Sequence, residues 1–323
     1  MRIVYMGTPD FAVLPLKAVL DAGIDEVVLV VTQPDKPQGR GKQFQMTPVK
    51  QTALEYHVPV SQPEKIRTDE EFMSMLEDLQ PDLIVVAAFG QILPDRVLNL
   101  PKFGCINIHA SLLPKYRGAS PIQWAVINND RITGVTIQKM AKRIDSGDIL
   151  AKKEIELDAK ETGGSLFDRL SVISAPLLLE TIDGLKNGTI VPVPQDETKA
   201  SHVTMLSKED GHIDWSLSAK AIECIIRGLT PWPGTYAFLD HKVIKIKEAE
   251  VVTDPEMTEE KLGLEEAQAG TFTVVRSGSR SRLFVKSSEG ILELLVLQAE
   301  GRKAMPADDF LRGYHLPETL LFE

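Results

Sequence analysis

The sequence contains few cysteines and histidines, and their spacing argues against a structural zinc site. Only two cysteines occur among the 323 residues, Cys105 and Cys224, and they lie far apart in the chain. We expect two buried thiols in a reducing compartment rather than a disulfide. The cysteines do not stand at zinc-ligand spacing, and none of the six histidines pairs with another at such spacing. The sequence therefore predicts no metal.

Long apolar runs are missing as well. No stretch is long and apolar enough to cross a bilayer. Residues 1–6 lead directly into Gly7 and Pro9, without the apolar run and small-residue cleavage site of a signal peptide. We therefore expect a cytoplasmic protein that has no membrane partner.

The chain is also short of positive charge. It has 36 Lys and Arg against 46 Asp and Glu, which gives a net charge of −10. Taken alone, this balance argues against a nucleic-acid partner, because neutralising phosphates requires Lys and Arg. A nucleic-acid-binding function would need a local basic surface on an acidic protein.

The first half of the chain alternates strand patterns with helix patterns. Unbroken apolar runs such as residues 27–31 are typical of strands buried on both faces. The alternation predicts an α/β, Rossmann-like domain with a parallel-rich sheet, which binds its ligand at the carboxyl ends of the strands. Strands are predicted at residues 3–6, 27–31, 83–88, 105–108 and 135–138, and helices at 11–20, 48–56, 70–79, 120–128 and 165–185.

The pattern changes near residue 190. Residues 190–207 are polar, contain proline and show no periodicity, which predicts an interdomain linker. Short β-rich segments separated by turn residues follow, and they predict a small antiparallel, OB-like β-barrel. We therefore expect domains at 1–189 and 208–323. The acidic residues 253–266 are predicted to form an exposed insertion with some helix.

Two polar clusters interrupt the apolar pattern of the first domain. Asn107 and His109 lie two residues apart, so a strand presents both on one face. A lone histidine is more often structural, but the pair at a strand end favours function. Asp145 and Asp148 flank a Ser-Gly turn, where ordinary turn chemistry is an equal alternative. Amide, imidazole and carboxylate together suit acyl transfer to an amine.

These clusters carry a family resemblance. Residues 107–114 (NIHASLLP), 116–122 (YRGASPI) and 145–149 (DSGDI) resemble the formyltransferases that use 10-formyltetrahydrofolate. The resemblance implies that Asn107, His109 and Asp145 are the catalytic residues. It also implies 10-formyltetrahydrofolate as the co-substrate.

Further segments resemble the tRNA-directed members of this family. They are residues 7–11, 32–42, 213–216, 231–234 and 301–305. The resemblance implies that the acceptor is the amino group of methionine on initiator tRNA, and that the second domain binds tRNA. It also implies that a basic loop containing Lys36, Arg40 and Lys42 contacts the tRNA. This loop would provide the local positive charge that the net charge of the chain does not.

The loop after the first strand argues against a nicotinamide cofactor. Residues 7–11 (GTPDF) lack the three-glycine pattern that lets a backbone approach a pyrophosphate, and Pro9 removes an amide donor. The resemblance implies a folate cleft instead. Its predicted lining is Phe89, Gly90, Gln91, Ile92 and Leu93, together with Ser111, Leu112, Leu113 and Pro114.

Several alternatives share parts of this pattern. A glycinamide ribonucleotide formyltransferase would need only the first domain. A sugar-amine N-formyltransferase and a formyltetrahydrofolate hydrolase have a similar two-part layout, but the basic loop and the C-terminal segments favour the tRNA-directed members. A non-catalytic RNA-binding protein would have no need for Asn107, His109 and Asp145 to occur together. We expect a monomer.

Overall fold

The computed structural model describes residues 1–38, 43–278, 280–314, 316 and 320–323. Its contacts divide the chain into two compact units. The first unit comprises Met1–Pro121, Ile132–Glu156 and Phe167–Thr204, and the second comprises Ile122–Arg131, Leu157–Leu166 and Met205–Glu323.

The secondary structure of the first half follows the predicted alternation. The strands are Arg2–Gly7 (β1), Glu26–Val31 (β2), Lys36–Gln38 (β3), Gln43–Gln45 (β4), Val60–Ser61 (β5), Leu83–Ala87 (β6), Cys105–His109 (β7), Arg117–Gly118 (β8), Ile132–Lys139 (β9), Ile149–Glu156 (β10) and His202–Val203 (β11). The helices are Val13–Ala22 (α1), Pro48–Glu55 (α2), Glu70–Leu79 (α3), Asp95–Leu98 (α4), Pro121–Ile127 (α5) and Gly163–Asn187 (α6).

A seven-stranded sheet in the order β10-β9-β7-β6-β1-β2-β5 organises the first unit. Within this sheet, neighbours in the run β7-β6-β1-β2-β5 are parallel, which confirms the parallel-rich sheet. β9 and β10 are antiparallel additions. Residues 140–148 join β9 to β10 directly, and a connection this short cannot contain the crossover that parallel neighbours need.

One face of this sheet packs against α3. Alternate residues of β1, β2 and β6 pack with Phe72, Met73 and Leu76 of α3. Asp69 caps α3 by accepting from the backbone N–H of Phe72 at 2.9 Å. The chain leaves β1 for β2 on one side and returns to β6 on the other, so the carboxyl ends of these strands flank the crevice where such sheets bind ligands.

The second unit is built on an antiparallel sheet. Its strands are Thr235–Leu239 (β12), Lys242–Val251 (β13), Phe272–Ser277 (β14), Arg280–Lys286 (β15), Ile291–Ala299 (β16) and Met305–Pro306 (β17). They lie in the order β12-β13-β16-β15-β14, with β17 paired to β16. The helices Ala219–Gly228 (α7) and Ala307–Gly313 (α8) bury Ile222, Ile226 and Phe310 in the same core as the sheet. The predicted antiparallel C-terminal fold is confirmed.

One part of the second unit differs from the sequence prediction. Residues 253–266 form turns and no helix. Leu262 and Leu264 are buried against Phe284 and Ile291, so the segment is not a fully exposed insertion. Burial of these apolar side chains holds the segment against the sheet, although its acidic composition predicted an exposed insertion.

The proline-containing segment that follows α6 makes defined contacts within the first unit. Val193 and Ile149 exchange backbone hydrogen bonds of 2.8 and 2.9 Å. Farther along, β11 pairs in parallel with β8. Residues 190–204 are therefore held by hydrogen bonds, and these bonds bring their side chains next to β9 and residues 140–148.

An ion pair on α7 gives a test of stability in the second unit. The Glu223 carboxylate accepts from Arg227 Nη2 at 3.1 Å and from Lys220 Nζ at 3.0 Å. Burial acts to raise the pKa of Glu223, but these hydrogen bonds outweigh it and hold the pKa below its ordinary value of 4.5. We expect Glu223→Gln to lower the free energy of unfolding by about 2 kcal/mol at pH 7, as measured by urea unfolding.

The pH dependence of this loss follows from the lowered pKa. The carboxylate stabilises the folded state above the unfolded-state pKa, and this contribution disappears as pH falls through the lower folded-state pKa. The difference between wild type and Glu223→Gln should therefore shrink below pH 4.5. Exposed Glu260 provides the matched control Glu260→Gln. An equal loss in both variants would contradict the assignment.

Candidate active site

Strand β7 carries the predicted amide and imidazole to the carboxyl edge of the parallel sheet. Asn107 is half-buried and His109 is 6% exposed. Asp145 lies in the 140–148 connection between β9 and β10, beside this edge. Its backbone has a φ of +50°, a left-handed conformation that non-glycine residues adopt at a cost.

The three predicted catalytic side chains converge in the structure. Asp145 Oδ2 lies 3.6 Å from His109 Nδ1, and Asp145 Oδ1 accepts from Asn107 Nδ2 at 3.5 Å. Two shorter bonds hold the same carboxylate. Gln138 Nε2 donates to Oδ1 at 2.8 Å, and the backbone N–H of Gly118 donates to Oδ2 at 2.9 Å. These bonds fix the position of the Asp145 carboxylate beside His109.

The tautomer of His109 follows from its other contact. Nε2 lies 2.9 Å from the carbonyl oxygen of Tyr116. Because a carbonyl oxygen only accepts, Nε2 carries a proton in this arrangement. Nδ1 is then the nitrogen through which His109 gains or loses a proton, and it faces Asp145.

Gln138 is a member of the site that the sequence analysis did not single out. It is 1% exposed and lies opposite Asn107 in the β7–β9 register. A glutamine at the end of the predicted strand 135–138 is a signal for this site, because a buried amide requires hydrogen-bond partners. Gly118 donates through its backbone N–H and has no side chain, so the sequence offers no such signal for this residue.

Phe89 begins the first predicted folate segment and lies just beyond β6. Its side chain is 2% exposed. Its carbonyl oxygen accepts from Thr8 Oγ1 at 3.1 Å and from Gln33 Nε2 at 3.2 Å. These bonds tie the loop after β6 to the loops after β1 and β2, at the crevice where the strand order reverses.

The other residues of this segment differ in exposure, and one of them bonds to the protein backbone. Gly90 has a φ of +83° and is exposed. The Gln91 side chain bonds to the backbone at Ile66 and Pro63, at 2.9 and 3.0 Å. Ile92 is exposed and Leu93 is buried, and both line a cavity of about 710 Å³.

The second predicted folate segment follows β7. Ser111 and Leu113 are fully buried, whereas Leu112 and Pro114 are half-buried. Ser111 Oγ donates to the carbonyl of Lys115 at 2.6 Å. Ser111 and Leu113 are enclosed in the turn after His109. Within this segment, Leu112 and Pro114 are the residues with surface that a ligand could contact.

The cavity extends from the Ile92 side to the Asp145 connection. Ile144 and Ser146, the neighbours of Asp145, both line it. Its remaining lining is mostly charged or polar: Arg67, Pro94, Asp95, Arg117, Lys142, Arg143, Glu197 and His202. A cavity of this volume is in the range of small-molecule sites.

Of the predicted tRNA-contacting residues, the structure describes Lys36, which is exposed on β3. Arg40 and Lys42 lie outside the described residues. β3 and β4 pair as antiparallel strands on either side of them. Among the described residues, no helix combines the length and apolar character needed to span a membrane. In the same part of the chain, His, Cys, Asp and Glu form no group of three or more that could hold a metal ion.

Comparison with protein families matches both halves of the chain. The formyl transferase model covers residues 1–182, and the formyl transferase C-terminal domain model covers residues 205–315. The chain belongs to the formyltransferase family.

Individual relatives narrow this assignment. Methionyl-tRNA formyltransferase of Lachnospira eligens is 48% identical over 316 residues, which is 98% of each chain. The protein of that name from Caldanaerobacter subterraneus subsp. tengcongensis is 45% identical over the full length of both chains. The predicted resemblance to the methionyl-tRNA formyltransferases is thereby confirmed.

Solved structures agree on the fold at lower identity. A sugar 3N-formyltransferase crystallised in the presence of dTDP and 5-N-formyl-THF superposes with a TM-score of 0.63 at 16% identity, covering 94% of this chain and 99% of that one. HypX from Aquifex aeolicus in complex with tetrahydrofolic acid gives a TM-score of 0.60 at 16% identity, covering 100% of this chain and 50% of that one.

Proposed function

We propose that this enzyme transfers the formyl group of 10-formyltetrahydrofolate to the amino group of methionine on initiator tRNA. The observation that carries the chemistry is the meeting of Asn107, His109 and Asp145 beside the sheet crevice. The full-length relatives named methionyl-tRNA formyltransferase support the choice of acceptor.

In the proposed mechanism, the methionine nitrogen attacks the formyl carbon and the carbonyl oxygen becomes an oxyanion. Asn107 Nδ2 donates to this oxyanion, and His109, once protonated at Nδ1, supports it by donation from that nitrogen or by its positive charge. Asp145 orients His109 and accepts the proton that the attacking amine loses, directly or through a water. The bond from the formyl carbon to the folate nitrogen then breaks, and that nitrogen takes a proton.

The cavity beside Asp145 is the proposed folate cleft. Ile92, Leu93 and Ile144 offer apolar surface for a flat ring, and the neighbouring Asp145 connection places the reacting centre at one end. Arg67, Lys142 and Arg143 supply positive charge suited to a co-substrate that carries carboxylates. A bound folate would therefore span from the exposed cations to the buried catalytic side chains.

The two halves have separate proposed tasks. Residues 1–189 form the catalytic domain, residues 190–207 connect it to the rest, and residues 208–323 bind tRNA. We also propose that the enzyme acts as a monomer in the cytoplasm and requires no metal.

Formyl transfer with different acceptors tests the proposed function. The purified protein is incubated with 10-formyltetrahydrofolate and either charged initiator methionyl-tRNA, a nucleotide-linked sugar amine or no acceptor. We expect formyl-methionyl-tRNA only in the first reaction. Faster transfer to the sugar amine would move the acceptor to that class, and folate turnover without an acceptor would indicate a hydrolase. No reaction in any arm would favour a non-catalytic RNA-binding protein.

The role proposed for the basic loop gives a separable prediction. Arg40→Ala should weaken tRNA binding about 5- to 10-fold and reduce the dependence of log Kd on log salt by about one contact. Folate binding should stay within twofold, as measured by fluorescence titration. Lys102→Ala is a matched control, because Lys102 is exposed at the amino end of β7, on the opposite edge of the sheet. Equal losses of tRNA and folate binding in Arg40→Ala would contradict the role.

A further inference from the structure

The segment that contains Asp145 has a backbone conformation that is unfavourable in free energy. Asp145 itself is left-handed, with a φ of +50°. At Gly147, a side chain would place its Cβ 1.6 Å from the carbonyl oxygen of Lys139, so only glycine fits there. A conformation of this kind persists where the surroundings over-determine it. Contacts from outside the Asp145 turn must therefore hold it against β9.

The side chain of Gln195 supplies two of those contacts. Its Nε2 donates to the backbone carbonyl of Asp145 at 2.8 Å and to that of Gly147 at 2.7 Å. The same nitrogen lies 3.4 Å from Oε1 of Gln138, whose own amide bonds the Asp145 carboxylate. The Gln195 amide therefore bonds the turn on both sides of Ser146 and also contacts Gln138, which donates to the Asp145 carboxylate.

Arg117 fixes the orientation of the Gln195 amide. Its Nε and Nη2 donate to Gln195 Oε1 at 3.0 and 2.8 Å. Because Oε1 accepts from the guanidinium, Nε2 must face the Asp145 turn, and the opposite amide orientation would set donors against donors.

Arg117 is held in turn by an exposed carboxylate. Its side chain is 2% exposed, and its nitrogens pair with the two Glu197 oxygens at 3.1 and 3.0 Å. The hydrogen bond from Arg117 lowers the pKa of Glu197, so this partner is ionised at neutral pH. Bidentate geometry of this kind restricts both groups. A chain of contacts thus runs from residue 197 through Arg117 and Gln195 to Asp145.

We propose that Gln195 is a positioning residue for catalysis, acting through the Asp145 turn and locked in place by Arg117 and Glu197. The proposal rests on the catalytic role proposed for Asp145. It gives the segment between the two halves of the chain a function beyond connection. Misplacing a reacting carboxylate by an ångström is enough to slow a reaction by about 100-fold.

The variant Gln195→Glu tests this proposal. A carboxylate of the same shape still accepts from Arg117, but it cannot donate to the carbonyls of Asp145 and Gly147. We expect kcat for formyl transfer to fall about 10- to 100-fold, with KM for methionyl-tRNA within twofold of wild type. Gln268→Glu makes the same chemical change at an exposed position of the second unit and should leave kcat unchanged.

Hydrogen exchange of the unliganded proteins gives a readout that does not depend on the reaction. Amides of residues 140–149 should exchange faster in Gln195→Glu than in wild type and Gln268→Glu. The double variant Gln195→Glu/Asp145→Asn separates positioning from general loss of structure. If Gln195 acts through Asp145, adding Gln195→Glu to Asp145→Asn should lower kcat no further.

Three outcomes would overturn the proposal: normal kcat in Gln195→Glu, unchanged exchange of residues 140–149, or a full additional loss in the double variant. If Gln195→Glu does not fold, exposed Glu197→Gln loosens the same chain of contacts, and it should raise the exchange of residues 140–149 and lower kcat severalfold. Normal values of both would equally overturn it. Failure of wild type to formylate methionyl-tRNA would instead reject the proposed function.

Discussion

Asp145→Asn is expected to lower kcat for formyl transfer about 1000-fold. The substitution keeps the size of the side chain but removes the negative charge that faces His109 Nδ1 at 3.6 Å. It also disturbs the donors around the carboxylate. Gln138 Nε2 and the Gly118 N–H donate to different oxygens of Asp145, so in either orientation the NH₂ of the new amide faces one of these donors.

Single-turnover kinetics with saturating methionyl-tRNA and folate would measure this loss directly. Equilibrium binding of folate should remain within severalfold of wild type, because the change affects proton transfer and not the cavity walls. Asp148→Asn is the matched control. Asp148 belongs to the same turn, and its backbone carbonyl, which the substitution does not change, accepts from the Lys139 N–H. A loss below tenfold in Asp145→Asn would remove Asp145 from the proposed mechanism.

Asn107→Ala should lower kcat about 100- to 1000-fold, the usual effect of removing one oxyanion donor. The backbone of Asn107 pairs with β6 and β9 on either side, so truncating the side chain leaves the strand in place. Asp145 keeps its shorter bonds from Gln138 and Gly118, because the Asn107 contact is the long one at 3.5 Å. The loss should therefore come from the transition state and not from a displaced carboxylate.

Two measurements separate these explanations for Asn107. The KM values for both substrates should stay within threefold of wild type, and hydrogen exchange of residues 140–149 should not change. Asn187→Ala, at the exposed end of α6, serves as the control for loss of an asparagine side chain. Faster exchange in Asn107→Ala would mean that Asn107 acts by holding the Asp145 turn, and it would contradict the oxyanion role.

Local sequence patterns predicted the regular elements well. The predicted helix at 70–79 is observed at Glu70–Leu79, because Asp69 caps its start and its apolar residues recur at helical spacing. The predicted strand at 105–108 is likewise observed, within Cys105–His109. In both cases the information lies within one turn or one strand of the residue concerned.

Predictions that depended on distant partners were less complete. The alternation of strands and helices suggested a parallel sheet, but β9 and β10 join it antiparallel. Leu262 and Leu264 are buried in a segment whose acidic composition predicted exposure and some helix. Strand direction and burial are decided by what packs alongside, and that information is not local.

The sequence by itself determined the family and most of the longer strands and helices, because periodicity, caps and motifs are written in neighbouring residues. It also presented Asn107 and His109 on one strand face. Only the tertiary structure brought Asp145 within 3.6 Å of His109 and revealed Gln138 and Gln195 as its supports. Hydrogen bonds depend on distances of a few ångströms between atoms, and only the folded backbone sets those distances for residues 38 or 50 positions apart.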